Sequence, residues 1–350
     1  MKIVLTGGGT GGHVIPNLSL LPELKKHFDE IYYLGGDGIE KELVKNYPDI
    51  KFVEIPTCKR NKSCKICNLA LPFKLLSCVH KIKKVLKKIN PDVVFSKGGY
   101  VSLPVCVASY LLKIPVVSHE SDMTMGKANK VIYKLSSKMC TTFEKTSENL
   151  DKAVCTGSPI RESLGKGQKE IGLKMTGLKD DLPFVLVTGG STGAEKLNEA
   201  VFSSLPTLTK KYNIIHLVGK NKGRKINSPH YFQMEFCSNI EHLFSTADVI
   251  VSRAGSNAIC ELLYLKKPML LIPLPKSKSS RGDQVDNAKY FEEKGLARVL
   301  YQENLSPATL EKNIDYLFSH KTKISNIYSN GNKNIVNVIL NVIKNKQQNT

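Results

Sequence analysis

A strand, a glycine-rich turn and a helix follow one another twice in this chain, and few folds accommodate that repeat. In the first copy Lys2-Ile3-Val4-Leu5-Thr6 runs into Gly7-Gly8-Gly9-Thr10-Gly11-Gly12-His13. In the second, Phe184-Val185-Leu186-Val187-Thr188 runs into Gly189-Gly190-Ser191-Thr192-Gly193. Each apolar, β-branched run reads as a buried parallel strand. Backbone N–H groups left over at a helix start, backed by the positive end of the helix dipole, make an anion site suited to phosphate. Two such copies indicate two nucleotide-binding-type halves that face one another.

Alternation of strand-like and helix-like segments extends this reading to the whole chain, an α/β protein with parallel sheets. Strands are expected at 2–6, 31–34, 52–55, 92–96, 115–118 and 139–142, then near 184–188, 214–218, 232–236, 248–252, 269–273 and 297–300. Leu75, Val79, Ile82, Leu86 and Ile89 recur at helical spacing and mark the buried stripe of a crossover helix. At 350 residues two domains are expected. The Gly/Lys-rich stretch from Thr156 to Leu182 reads as the linker between them. A polar helix from about Ile324 to Lys346, carrying Ile335, Val338, Ile339, Val342 and Ile343, has no strand after it and is expected to return to the first domain. The expected division is therefore 1–158 plus 324–350, and 159–323.

Composition removes several classes. Hydrophobic residues at 41% and charged residues at 23% are those of a soluble globular enzyme. The amino terminus enters a strand at once, without the pattern of a signal peptide, and no run of apolar residues is long enough to cross a bilayer. Nine cysteines in such a chain are expected to be reduced thiols. Cys58, Cys64, Cys67 and Cys78 cluster, yet their spacing matches no common zinc module. No Asp-x-Asp occurs, which argues against a carboxylate-held divalent metal; neither metal nor cofactor is expected.

The net charge of +20 and a pI near 9.4 call for an acidic partner. From Ile55 to Pro91 there is no Asp or Glu, while Lys74, Lys81, Lys84 and other basic residues alternate with Leu69, Leu71, Phe73 and Leu76. Base stacking needs aromatics among the basic residues, and Phe73 stands nearly alone there, so nucleic acid is not the expected partner.

Four further segments carry chemistry. His13 sits where the dipole of a helix start disfavours imidazolium, which suits a general base. Ser252-Arg253-Ala254-Gly255 permits close backbone approach, and Glu261, one turn on, suits two ribose hydroxyls. Gln284 and Asn287 lie one helical turn apart, a donor/acceptor pair suited to sugar hydroxyls. Ser96-Lys97-Gly98-Gly99-Tyr100 and His119-Glu120-Ser121-Asp122 close predicted strands, where ligands of open α/β sheets bind. Gly7, Gly9 and Gly12 also satisfy GxGxxG, with Asp37 near the place of an NAD-binding acid, so an NAD-dependent oxidoreductase is the weaker alternative.

Taken together, in order and spacing, the glycine loops, Phe95-Ser96-Lys97-Gly98-Gly99-Tyr100-Val101-Ser102, His119-Glu120-Ser121-Asp122, Thr156-Gly157-Ser158-Pro159-Ile160-Arg161, Ser252-Arg253-Ala254-Gly255 and Arg281-Gly282-Asp283-Gln284 resemble the MurG family. These are the UDP-N-acetylglucosamine transferases of peptidoglycan synthesis. The resemblance implies a glycosyltransferase-B fold, two Rossmann-like domains facing a cleft, and inverting, metal-independent transfer of GlcNAc from UDP-GlcNAc. The implied acceptor is the muramyl 4-hydroxyl of undecaprenyl-diphosphoryl-MurNAc-pentapeptide (lipid I), and the product lipid II. The stronger alternative is another UDP-sugar transferase of this fold acting on a different glycolipid.

By matching position, the resemblance places Thr10, Gly11, Gly12, Arg161, Ser191, Asn257 and Ala258 at the donor, with the backbone of Cys237 at the uracil. Glu261 would hold the ribose, and Gln284 with Asn287 the GlcNAc. Gly9, Tyr100, His119 and Asp122 would meet the acceptor, with His13 as base and Glu120 as its rival or orienting partner. Asp122-Met123-Thr124-Met125-Gly126 departs from the Asn-Ala-Ile-Ala-Gly of many members. A lipid-anchored acceptor implies a peripheral protein at the cytoplasmic face of the plasma membrane, held by anionic inner-membrane lipids and open to a wall-synthesis complex. The basic segment with Leu69, Leu71, Phe73 and Leu76 is the expected contact.

Overall fold

The computed structural model describes residues 1–58, 71–190, 193–277, 280–320 and 330–348. They divide into two units, Met1–Arg161 with Asn330–Thr350, and Glu162–Ser329. In the first, strands β1 (Lys2–Thr6), β2 (Glu30–Gly35), β3 (Ile50–Glu54), β4 (Val93–Ser96), β5 (Val116–Glu120), β6 (Lys138–Thr141) and β7 (Ala153–Cys155) form a parallel sheet ordered β3-β2-β1-β4-β5-β6-β7. Helices α1 (Gly11–Ser19), α2 (Leu21–Leu24), α3 (Ile39–Val44), α4 (Leu71–Ile89), α5 (Ser102–Leu111), α6 (Lys127–Leu135) and α7 (Glu144–Ser147) make the crossovers. Every residue of β4 and β5 is buried, as continuous apolar strands covered on both faces must be.

One face of this sheet packs Val14, Leu18 and Leu24 with Ile335, Val336, Ile339 and Ile343 of a C-terminal helix, Asn332–Gln348. Each such side chain stabilises by about 1.5–3 kcal/mol as an upper estimate. The other face receives Val79, Ile82, Leu86 and Ile89 of α4 with Val105 and Ala108 of α5. The helical spacing read from the sequence is the buried stripe of α4, and its lysines point away.

The second unit repeats the plan. Strands β8 (Phe184–Thr188), β9 (Asn213–Leu217), β10 (Tyr231–Met234), β11 (Val249–Ser252), β12 (Met269–Leu271) and β13 (Arg298–Val299) are parallel in the order β10-β9-β8-β11-β12-β13. With them run α8 (Lys169–Thr176), α9 (Glu195–Leu208), α10 (Ile240–Thr246), α11 (Ser256–Tyr264), α12 (Asp283–Glu293) and α13 (Pro307–Ser319). Ser306 and Thr309 close a capping box around Pro307 at the start of α13. Both sheets have the Rossmann order, and in both the direction of winding reverses beside a glycine loop. Register Thr6↔Ser96 sets the first loop next to Lys97, and Thr188↔Ser252 sets the second next to Arg253.

The structure corrects three expectations. Strand β7 was not anticipated, because a three-residue edge strand with two exposed residues has no apolar run to announce it. Thr156–Leu182 is not a plain linker: it holds a 3-10 turn, Glu162–Lys166, and α8, which belong to the second unit. Helix α8 packs on α10 through Gly172, where a Cβ would stand 2.6 Å from the His242 carbonyl oxygen, so small residues make the contact and no apolar periodicity marks it. Residues 159–161 stay with the first unit, because Asn332 accepts from the Ile160 N–H at 3.1 Å and donates to its carbonyl at 2.9 Å. The expected helix start near 324 lies outside the described residues.

Candidate active site

In the first unit the switch point between β1 and β4 gathers most of the expected acceptor-side residues. The base of the loop is fixed from below: the Tyr33 hydroxyl donates to the Gly7 carbonyl at 2.7 Å, and Asn17 donates to the Thr6 carbonyl at 3.2 Å. Gly9 has φ +80°, and a Cβ there would stand 2.5 Å from the ring of Tyr100. Glycine is required on both counts. After that turn α1 begins, with His13 as its third residue, half-exposed, Nδ1 3.1 Å from the Thr10 hydroxyl.

The loop's anion site is already engaged in part. Glu40 of α3, buried, accepts from the Gly9 N–H at 3.1 Å, so in this structure the amide of that expected acceptor residue is turned toward a carboxylate of the chain itself. Asp37, weighed as an NAD-binding acid, is exposed and paired with Lys41 at 3.0 Å.

His119 and Glu120, at the end of β5, are buried supports. His119 Nε2 lies 3.1 Å from the Gly157 carbonyl, which can only accept, so that nitrogen carries the proton. Nδ1 then accepts from the Lys97 ammonium at 2.7 Å, and Lys97 also donates to the Ser121 hydroxyl. Burial, reinforced by the Lys97 charge, holds the His119 pKa well below the ordinary histidine value. Glu120 accepts from the N–H of Asp122 and of Gly126, each at 3.0 Å, and from the Asn129 amide at 2.9 Å. It fixes the 121–126 loop and the start of α6, while burial pushes its carboxyl pKa up. Tyr100 and Asp122 are half-exposed and line the loop ends.

In the second unit the carboxyl ends of β8, β10, β11 and β12 carry the expected donor residues. Gly193, φ +67°, would place a Cβ 2.4 Å from the Val218 carbonyl oxygen, so only glycine lets the loop pass this close to the turn after β9. Ser191 lies outside the described residues. Asn257, Ala258 and Glu261 are half-exposed on one face of α11, whose N-cap is Gly255. Gln284 accepts from the Leu274 N–H at 2.9 Å, and the fully buried Asn287 donates to the Ala254 carbonyl at 3.3 Å; together they tie α12 to the loops after β12 and β11. Arg253 has a structural task that the sequence did not show: its guanidinium, buried, donates to the Ile272 carbonyl at 2.9 Å and to Gln302 at 2.7 Å. Cys237 follows β10 with its thiol buried. Arg161 is the last residue of the first unit and half-exposed.

On α4, Phe73 and Leu76 are 75% and 66% exposed, unusual for side chains of that size, and Lys74, Lys81 and Lys84 are exposed with them. Leu71 is half-buried, and Leu69 lies outside the described residues, as do Cys64 and Cys67. The Cys58 and Cys78 sulfurs stand 3.0 Å apart. Among the described residues no three His, Cys, Asp or Glu side chains come together as a metal site, and no helix is long and apolar enough to cross a membrane.

Comparison with known proteins agrees with this geometry. Residues 3–141 match the glycosyltransferase family 28 N-terminal domain and residues 184–345 the glycosyltransferase family 28 C-terminal domain. The chain is 45% identical, over 98% of its length and 97% of the relative's, to the UDP-N-acetylglucosamine--N-acetylmuramyl-(pentapeptide) pyrophosphoryl-undecaprenol N-acetylglucosamine transferase of Clostridium tetani. The protein of the same name from Lachnoclostridium phytofermentans is 45% identical over 95% of each chain. The crystal structure of Acinetobacter baumannii MurG superposes with a TM-score of 0.74, covering 97% of this chain and 99% of that one at 24% identity, which is a likeness of fold.

Proposed function

The chain belongs to glycosyltransferase family 28, and from that premise we propose that it transfers N-acetylglucosamine from UDP-N-acetylglucosamine to the muramyl sugar of lipid I, forming lipid II. One observation carries this reading: 45% identity to transferases of that name over a span that takes in both units. The weaker alternative, an NAD-dependent oxidoreductase, finds no such support.

In the proposed chemistry the acceptor's 4-hydroxyl attacks the anomeric carbon of the donor in line, and UDP leaves with inversion. His13, half-exposed at the start of α1, takes the hydroxyl proton, a role that contributes about 10²–10⁴-fold. Glu120 and His119 act behind it, Glu120 by shaping the 121–126 loop and His119 by joining Lys97 to Gly157. Tyr100, Asp122 and the Gly9 turn then bound the acceptor. The departing diphosphate is met by the second glycine loop with Ser191 and by the amides opening α11 at Asn257 and Ala258, which together supply the charge that a divalent ion supplies elsewhere. Glu261 takes the ribose hydroxyls, the backbone at Cys237 the uracil, and the half-exposed Gln284 the sugar, while the buried Asn287, expected beside it, holds α12 in place from behind.

The basic, apolar-tipped face of α4 is proposed as the attachment to the anionic bilayer in which the acceptor is anchored. An assay of UDP-GlcNAc against UDP-glucose and UDP-galactose with a lipid-linked muramyl acceptor tests the function. Transfer of GlcNAc alone, undiminished by a chelator, is expected. Preference for another sugar, or loss of turnover with the chelator, overturns the reading.

A further inference from the structure

The first glycine loop carries an anion of its own. Glu40, the second residue of α3, is 1% exposed. One carboxylate oxygen accepts from the Gly9 N–H at 3.1 Å and the other from the Gly36 N–H at 3.0 Å. The two amides belong to separate connections, after β1 and after β2, so this single group clamps them together. It reaches them because the surrounding backbone has no side chains. A Cβ on Gly8 would stand 2.5 Å from Oε1, one on Gly36 3.2 Å from Oε1, and one on Gly38 3.1 Å from Oε2. Among the described residues the carboxylate's hydrogen-bond partners are these two amides.

His13 borders the same stretch of backbone. A Cβ on Gly99 would lie 3.4 Å from the Gly8 carbonyl oxygen and also 3.4 Å from Nδ1 of His13. Gly8 therefore meets the carboxylate on one side and neighbours the imidazole on another. The ionisable side chains that border this stretch of backbone are Glu40 on α3, with Lys97 and Tyr100 on the segment after β4: a Cβ on Gly7 would stand 3.2 Å from Cβ of Lys97, and one on Gly9 2.5 Å from the Tyr100 ring. The Lys97 ammonium is drawn toward β5 by His119 and Ser121, whereas the Glu40 charge stays on the loop.

We propose that Glu40 is a positioning residue for His13: it holds the Gly8-Gly9 backbone in the place from which α1 starts, and its buried negative charge favours proton uptake by the imidazole. This rests on His13 being the base.

The test is Glu40→Gln, which keeps the size of the side chain, removes its charge and presents an amide N–H₂ where only an acceptor fits. The expected result is a fall in kcat of about tenfold or more with the KM for UDP-GlcNAc within about twofold of the wild type. With the anion gone imidazolium is less favoured, so the acid limb of kcat/KM moves to lower pH by about half a unit or more. UDP-binding stoichiometry equal to the wild type shows that the lost rate is not lost protein. If Glu40→Gln does not fold, Glu40→Asp carries the test: the charge stays but cannot reach both amides, and kcat falls while the acid limb holds. Wild-type kcat in the variant that folds, or an unmoved acid limb in Glu40→Gln, overturns the proposal. His13→Ala separates the two readings. If it costs much while Glu40→Gln costs nothing, only the role of Glu40 fails; if it costs less than about tenfold, the base assignment fails and this proposal with it.

Discussion

The Lys97 ammonium donates to Nδ1 of His119 across 2.7 Å, and both side chains are buried. A buried imidazole that accepts from one neighbour and donates to the Gly157 carbonyl cannot take a second proton without breaking one of those bonds. The pair links the ends of β4 and β5 to the turn after β7, the frame on which the loops after β4 and β5 stand.

Acid should therefore unfold this protein in a particular window. His119 titrates well below the ordinary histidine value, and burial lowers His216 to about 4. In the unfolded chain both bind protons near pH 6.5, so between that value and the folded pKa the unfolded state holds more protons. Their contribution to stability is complete above about pH 7 and is lost as the pH falls toward 4, on the order of 3 kcal/mol for His216 alone. Glu120, whose carboxyl is pushed up, slopes the other way just above the usual carboxylate range. Melting temperature should drop steadily from pH 7 to pH 5; a flat profile across that interval refutes the assignment.

His13→Ala should lower turnover by about 10²-fold or more while UDP binding, measured by calorimetry, stays intact. A loss below about tenfold would remove His13 from the chemistry.

Glu261→Ala should weaken UDP binding by about 10–100-fold, the usual value of hydrogen bonds to a charged group, with the melting temperature nearly unchanged because the side chain is half-exposed. Unaltered affinity would place the ribose elsewhere.

Replacing Phe73 and Leu76 by Ser, or Lys81 and Lys84 by Glu, should weaken binding to anionic vesicles and leave turnover of a short-chain soluble acceptor near wild type. Each lysine near such a surface contributes about 1 kcal/mol, so the wild type should also release with salt. Binding that ignores salt and lipid charge would exclude an electrostatic attachment.

Asn332→Ala should destabilise the first unit by about 2–4 kcal/mol. Its buried amide accepts from the Ile160 N–H and donates to the carbonyls of Ser19 and Ile160, and truncation leaves these backbone groups without it. Urea unfolding followed by circular dichroism measures the loss; a midpoint equal to the wild type would contradict it.

Much of the scaffold was legible before any coordinates. The runs at Val4, Val94, Val185 and Ile250 lie in buried strands, and the stripe from Val79 to Ile89 packs inward, because burial on both faces or on one face imposes a local period. Helix α8 was not legible, since Gly172 makes its contact by having no side chain. His13 could be singled out from its place after the last glycine. Glu40 could not: nothing in Gly35-Gly36-Asp37-Gly38-Ile39-Glu40 says that this carboxylate, and not that of Asp37, reaches the loop after β1.

By itself, then, the amino-acid sequence determined two copies of a strand, glycine turn and helix, the parallel sheets they build, and the family to which they belong, all properties carried by neighbours along the chain. Tertiary structure alone decided that Glu40 braces the first loop, that burial, with Lys97 beside it, keeps His119 neutral, that Arg253 holds the backbone after β12, and that Asn332 secures residues 159–161 to the first unit. The physical reason is common to all four: a buried polar group must find its partner wherever the fold has brought one within hydrogen-bond distance, and that partner lies on a segment remote in sequence.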